Sequence, residues 1–200
     1  FDINEFVLDP RPESELLVEK ALDLIQENNL KSILELGVGS GCIISAILCN
    51  SIGTRAVGVD ISEQAIMTAK SNLIKNGIKN FDLVVSDWGL SLNRAFDIII
   101  SNPPYIKTNE IKNLNKNVKD HDPLISLDGG LDGLDCYRVI ANQSTHLIND
   151  KGYILVEIGH DQAKGVEKIF GNNDFLLTNK VKDYSNLDRV LIFVKKKIKK

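Results

Sequence analysis

Apolar and polar positions follow two different periods along this chain, and the switches between them outline an alternating order of strands and helices. Over residues 12–26, Leu16, Leu17, Ala21, Leu24 and Ile25 recur at helical intervals. Pro12 suits the first turn of that helix, where its missing N–H costs nothing. Residues 32–36 are a short apolar run read as a first strand, and 40–50 read as a helix. Residues 55–59 form a second strand ending at Asp60. Ser62 caps a further helix that runs to about Asn76, and Gly77 closes it. Residues 82–85 read as a third strand ending at Asp87, and 97–101 as a fourth, Ile-rich and buried on both faces. A helix over 134–148, a fifth strand over 153–157 and a helix over 162–170 follow. Residues 175–179 and 189–194 read as two last strands, a hairpin-like pair. This order predicts an α/β fold, a parallel sheet with helices on both faces. The stretch 106–133 is polar and irregular; loops of that length inside a domain are usually functional or disordered.

Composition narrows the class. The chain has 200 residues, 43% hydrophobic and 26% charged, which suits one globular domain that can bury a core without disulfide or metal staples. We place that domain at 1–194 and read the lysine-rich 195–200 as a solvated tail or linker stub, with a nucleic-acid contact as the lesser reading. The net charge of -3 supplies no global positive field for nucleic acid, a weak argument against that partner. No apolar run reaches the roughly 18 residues of a membrane span, and no signal peptide is visible, so a cytoplasmic protein with no membrane partner is expected. The cysteines are odd in number, and Cys42, Cys49 and Cys136 show no ligand spacing, so neither a disulfide framework nor a metal site is expected. Cys42 and Cys49 share a helix face and are read as core packing. His121, His146 and His160 are scattered and are read as surface or capping residues. The first residue is Phe1 rather than Met, so the chain reads as part of a longer polypeptide.

Two constellations carry chemistry. The first is Glu35-Leu36-Gly37-Val38-Gly39-Ser40-Gly41, placed after a strand and opening a helix. Glycine lets that backbone turn tightly and approach a ligand with no Cβ in the way, and the helix start presents free N–H groups. Asp60 follows at the end of the next strand, where a carboxylate can accept both ribose hydroxyls of an adenosine ligand. A nicotinamide cofactor would want a third glycine where Cys42 stands. The observed spacing suits S-adenosyl-L-methionine better, because no pyrophosphate has to lie across the helix end. At the same sheet edge Asp87 can accept from an adenine amino group, and Trp88 can pack on the base.

The second constellation is Asn102-Pro103-Pro104-Tyr105, at the end of the fourth strand. The prolines fix the backbone and so aim its carbonyls. An amide or exocyclic amino nitrogen is a poor nucleophile because its lone pair is delocalised. Asn102 Oδ1 and the Pro103 carbonyl can accept its two N–H bonds and point the lone pair at a methyl donor, holding the reacting atoms about 3–3.5 Å apart. Tyr105 offers a ring against a planar substrate group.

Together these residues resemble class I methyltransferases with an NPPY motif. Flanking segments narrow the resemblance to the HemK/PrmC-type release factor glutamine N5-methyltransferases. Asp9-Pro10-Arg11-Pro12-Glu13-Ser14-Glu15 is similar to that family's PRPETE segment, with Ser14 for Thr. Asp122-Pro123-Leu124 and Leu127-Asp128-Gly129-Gly130-Leu131-Asp132-Gly133-Leu134 are similar to its EP…L-x-GG-x-DGL segment, and Tyr137 and Arg138 follow. Near the end, Asn186-Leu187-Asp188-Arg189 reads as a shortened form of the family's D-L-x-G-x-x-R, without its glycine. The resemblance implies a Rossmann-like class I methyltransferase fold, a mostly parallel seven-stranded sheet with an antiparallel C-terminal strand. It implies Gly37, Val38, Gly39, Ser40, Gly41, Asp60, Trp88 and Asn102 around S-adenosyl-L-methionine. It implies Asn102, Pro103, Pro104 and Tyr105 around a glutamine of class I peptide chain release factors, and a separate N-terminal domain, absent here, that grips the release factor. Two rivals remain: a nucleic-acid amino methyltransferase acting on adenine, and a non-catalytic cofactor-binding module. The acidic loop carrying Asp120, Asp122, Asp128, Asp132 and Asp135 speaks against the first, and the intact Asn102-to-Tyr105 motif against the second.

Overall fold

In a computed structural model, residues 1–115 and 122–196 are described. The elements are α1 (Ser14–Asn28), β1 (Ser32–Leu36), α2 (Cys42–Asn50), β2 (Arg55–Asp60), α3 (Glu63–Lys75), β3 (Phe81–Val85), β4 (Phe96–Ser101) and the short α4 (Thr108–Ile111). A 3₁₀ turn (Leu124–Ser126), α5 (Asp135–Leu147), β5 (Ile148–Glu157), α6 (Ala163–Asn172), β6 (Phe175–Lys182) and β7 (Asp188–Lys195) complete the chain. The strands form a seven-stranded sheet in the order β3-β2-β1-β4-β5-β7-β6. The first five are parallel, and β7 runs antiparallel to both neighbours, as the resemblance implies.

Alternation along β4 explains why both faces need helices. Ile99 joins a core that includes Leu34, Leu36, Val156, Tyr137, Ile140 and Phe170, which seats α5 and α6. Ile98 and Ile100 face the other way, into a core with Leu17, Ala21, Ile44, Ile47 and Leu73, which seats α1, α2 and α3. A strand buried on both sides reads as a continuous apolar run for this reason. The α3 ends form as the sequence predicts. Ser62 Oγ accepts from Ala65 N–H at 3.2 Å, and the N–H groups of Gly77 and Ile78 fold back on the Ile74 and Leu73 carbonyls.

Several expectations change. The fifth strand begins at Ile148 rather than 153, and the sixth continues to Lys182. The loop 106–133 is partly structured: Ile106 bridges Asp128, and Ile106 N–H donates to the Leu127 carbonyl. Cys49 is exposed rather than packed in the core, because it stands in the last turn of α2. His146 and His160 are exposed; His121, Asp120 and the lysine-rich residues 197–200 lie outside the described residues. The last turn is not shortened. The segment 183–189 keeps the full spacing, with Asp183 and Arg189 at its ends, and Asn186 takes the glycine place at φ 62°. Asparagine tolerates that left-handed backbone better than other side chains. Asp183 Oδ1 accepts from Ser185 and Leu187 N–H, and Asp183 pairs with Arg189 at 3.0 Å.

Candidate functional site

The C-terminal ends of the parallel strands stand level. Leu36 pairs with Val59 on one side and Ser101 on the other, and Ser101 with Val156. The chain leaves β1 toward β2 but returns to β1's other side as β4, so the loops after these two strands flank a switch point where ligands bind in such sheets. Ser101 Oγ donates to the Leu36 carbonyl at 2.7 Å and ties the two strand ends together. A cavity of about 280 Å³ opens there, close to the small end of ordinary ligand pockets.

The glycine loop forms one wall. Gly37 takes φ 75° and Gly39 φ 51°, and a Cβ on Gly37 would come within 3.9 Å of the Trp88 ring. Asp60 closes the wall from β2. Its Oδ2 accepts from Gly39 N–H at 2.9 Å and its Oδ1 from Ser62 N–H at 3.0 Å. Each carboxylate oxygen keeps a further lone pair. Glu35 lies beneath the loop with Oε2 accepting from Ile44 N–H at 3.0 Å. Burial pushes its carboxyl well above the usual range, against the pull of that bond, and the Asp60 charge adds to the rise. Trp88 holds φ 51°, an uncommon state for a bulky side chain and one that marks functional segments. A glycine-lined wall, an edge carboxylate and an indole ring suit the adenosine part of S-adenosyl-L-methionine.

The opposite wall comes from segments far apart in the chain. Leu8, Asp9, Pro10, Arg11 and Ser14 precede or open α1; Ile125, Ser126, Asp128 and Cys136 come from the loop before α5 and its start. Arg11 clasps Asp122 in an ion pair that joins the two segments. Of the residues expected around the ligands, Gly37, Val38, Gly39, Ser40, Asp60, Asp87, Trp88, Asn102 and Pro104 line this cavity; Gly41, Pro103 and Tyr105 do not. Gly41 instead packs where a Cβ would meet Ala69 at 3.1 Å, and Pro103 is buried. Tyr105 is half-buried against the core. Burial, more than the nearby Glu157, raises its hydroxyl above the ordinary value. Cys42 and Cys136 line the cavity as well. Burial raises both thiols, Cys136 to about 11, so they stay protonated.

The composition of the Asn102 environment is new relative to the sequence reading. Asn102 Nδ2 donates to Ser14 Oγ at 3.0 Å, and Ser14 Oγ donates to Glu157 Oε2 at 2.8 Å. Among the described residues nothing donates to Asn102 Oδ1. Burial lifts Glu157 to about 7, opposed by the Ser14 bond, the Arg189 charge and the Asn102 amide. Gln162 braces the same loop from behind. Its Nε2 donates to the Tyr105 carbonyl at 2.8 Å and to the Gly133 carbonyl at 3.0 Å, while Oε1 accepts from Gly159 N–H at 3.0 Å. Gly133 is required there, because a Cβ would stand 2.5 Å from the Tyr105 oxygen. One signal pointed to Glu157: like Glu35 and Asp60, it is an acid at the end of an apolar strand. Nothing in the local pattern marks Ser14 as its partner, or Gln162 as the brace of the loop after β4.

Comparison with known proteins agrees with this geometry. Residues 12–120 match the family model described as methyltransferase small domain. The chain is 40% identical over 196 residues to the release factor glutamine methyltransferase of Agrobacterium fabrum, covering 96% of this chain and 68% of that protein. It is 42% identical to the one from Thermodesulfovibrio yellowstonii, covering 96% and 70%. Among solved structures, the ribosomal protein L11 methylase from Lactobacillus delbrueckii subsp. bulgaricus superimposes with a TM-score of 0.72 at 16% identity, covering 96% of this chain and 82% of that one. That likeness speaks for the fold alone, the Rossmann-like class I methyltransferase fold.

Proposed function

The chain belongs to the release factor glutamine methyltransferase family, and on that premise we propose that it methylates a release factor with S-adenosyl-L-methionine as the donor. The acceptor in this reading is the N5 side-chain amide nitrogen of the glutamine in the Gly-Gly-Gln motif of class I peptide chain release factors, in the cytoplasm. The observation that carries it is the Asn102 amide, held by Ser14 at 3.0 Å so that Oδ1 is left to accept a hydrogen bond.

S-adenosyl-L-methionine, when bound, supplies an electrophilic sulfonium methyl group. Gly37, Val38, Gly39, Ser40, Asp60, Asp87 and Trp88 are the residues that would hold it. In this reading Asn102 Oδ1, at the cavity, accepts one N–H of the substrate amide, and the backbone carbonyl of Pro103, whose ring is buried behind the cavity wall, is assigned the other. That draws electron density toward the nitrogen and aims its lone pair. As the nitrogen gains positive charge, both hydrogen bonds strengthen, so they favour the transition state over the bound substrate. Transfer would break the methyl–sulfur bond as the methyl–nitrogen bond forms, leaving S-adenosylhomocysteine, and the nitrogen would pass its surplus proton to water and end as a neutral N-methyl amide. Glycines beside the acceptor leave its side chain unobstructed on the way into a narrow site.

Mass spectrometry of tryptic peptides, after incubating the chain with a release factor and deuterated-methyl cofactor, tests the assignment. The expected product carries one labelled methyl on the glutamine of the Gly-Gly-Gln peptide. Asn102→Ala should lose on the order of 100- to 1000-fold in turnover while binding S-adenosylhomocysteine nearly as well as the unaltered chain. Label on nucleic acid with the release factor untouched would overturn the reading in favour of an adenine acceptor.

A further inference from the structure

Asn102 alone does not determine which way its amide faces; two further side chains do. Glu157 ends β5, and β5 lies beside β4 with Val156 level with Ser101. The sheet therefore brings Glu157 and Asn102 to one corner, and Ser14, the first residue of α1, stands between them. Both Ser14 and Glu157 are buried, at 6% and 1% exposure. A serine hydroxyl has a single proton. With that proton given to Glu157 Oε2 at 2.8 Å, Ser14 Oγ can only accept from Asn102, and does so from Nδ2 at 3.0 Å. The amide must then turn its carbonyl oxygen away from Ser14. A protonated Glu157 reverses the logic. It can donate to Ser14, whose freed proton can go to Asn102 Oδ1, and the amide then presents its NH₂ group instead. The Asn102 NH₂ would then face the substrate NH₂, donor against donor, and only the Pro103 carbonyl would be left to accept.

We propose that Glu157 is a positioning residue: acting through Ser14, it locks the Asn102 amide with Oδ1 toward the substrate nitrogen, and its protonation releases the lock. The part of this concerning turnover rests on the methyl-transfer reading above; the lock itself does not. The groups around Glu157 are consistent with a carboxyl that changes state near neutral pH. Burial raises it to about 7, and Glu13 adds a smaller upward push. Arg189 from β7, the Ser14 hydroxyl and the Asn102 amide pull it down. Tyr105 lies within electrostatic reach, and Tyr137 from α5 donates its hydroxyl to the Glu157 backbone carbonyl at 2.9 Å. Both phenols are raised above their ordinary value, mainly by burial, so they stay neutral in the range where Glu157 titrates.

Two measurements test the lock. In the ¹⁵N-labelled chain, the side-chain amide resonances of Asn102 are followed against pH with no substrate present. They should shift with a midpoint near 7, keep that shift in Ser14→Thr, keep only the smaller part carried by the direct Asn102–Glu157 contact in Ser14→Ala, and lose it in Glu157→Gln. In single-turnover transfer to a release factor, the rate should rise with pH through the same midpoint. In steady-state assays Ser14→Ala should lower kcat by about 10- to 100-fold, the cost of a slightly misaimed group, with KM for S-adenosylmethionine unchanged, and Ser14→Thr should restore it. An Asn102 amide that does not titrate, or titrates equally in Glu157→Gln, overturns the proposal. So does Ser14→Ala with undiminished kcat. A titrating amide in a chain that places no methyl on the glutamine supports the lock and counts against the methyl-transfer reading.

Discussion

Gln162 holds Tyr105 by its backbone: the Gln162 Nε2 group donates to the Tyr105 carbonyl at 2.8 Å from the turn that precedes α6. The same amide group reaches Gly133, so one side chain fixes both the loop after β4 and the loop before α5. Gln162→Leu would leave two carbonyls and the Gly159 N–H without this partner. Each buried group left unpaired costs about 1–3 kcal/mol, so with three such groups a loss of at least about 3 kcal/mol is expected in urea unfolding. Turnover should fall more than affinity for S-adenosylhomocysteine, because Gln162 braces the substrate side of the site. Equal losses in both would show that it merely holds the domain together.

Asp60→Ala should weaken binding of S-adenosylhomocysteine in calorimetry by about 1.5–3 kcal/mol, the worth of hydrogen bonds to a charged group. That is roughly 10- to 150-fold in affinity. Part of the effect passes through the glycine loop, since Asp60 also anchors Gly39. Asp60→Asn, which keeps one acceptor oxygen, should fall between the two. A folded Asp60→Ala chain that binds normally would remove Asp60 from the ribose role.

Glu35 couples ligand binding to protons. Burial holds its carboxyl well above the usual range in the free chain, and a cationic ligand in the cavity that Glu35 lines favours the ionised form. Binding of S-adenosylmethionine should therefore release protons, and its affinity should rise with pH. The apparent binding enthalpy should vary with the ionisation enthalpy of the buffer, and Glu35→Gln should remove that variation. A wild-type enthalpy independent of buffer would contradict the coupling.

Glu157 opposes stability to orientation. Its folded value, about 7 against an ordinary 4.5, means that the folded chain holds this proton more tightly than the unfolded one. The associated stabilisation is complete below 4.5 and is lost as pH rises through about 7. Glu157→Gln stays neutral throughout. It should match the unaltered chain in acid and gain up to ~3 kcal/mol on it by about pH 8. Urea midpoints measured across this range would reveal a constant difference instead if Glu157 titrated normally.

The central strands were legible because each is a mostly apolar run close to a glycine, proline or acid, and burial on both faces leaves few polar positions, such as Glu35 in β1, to blur it. The margins were not. The start of β5 carries Asn149, Asp150 and Lys151, all exposed. It stays extended because Phe96 pairs with Ile148 and Asn149 Nδ2 donates to Asp97 at 2.8 Å. The edge strand β6 carries Asn179, Lys180 and Lys182 on open positions, the polar cover that edges need, and this hides its period. In the site, Gly37, Asp60 and Asn102 could be named because each ends or follows a strand within a recognisable local pattern. Ser14, Glu157 and Gln162 act through partners distant in sequence, and no local period records such a pairing.

The bond from Ser14 to Glu157 joins residues 143 positions apart. At a synthesis rate of roughly 5–20 residues per second, a ribosome adds Glu157 on the order of ten seconds after Ser14. The glycine loop, Asp60 and Asn102 are all made within that interval, Asn102 88 positions after Ser14, yet the clamp that orients Asn102 cannot close before Glu157 arrives. A nascent chain is thus able to acquire the parts of a ligand wall well before it acquires the means to use one.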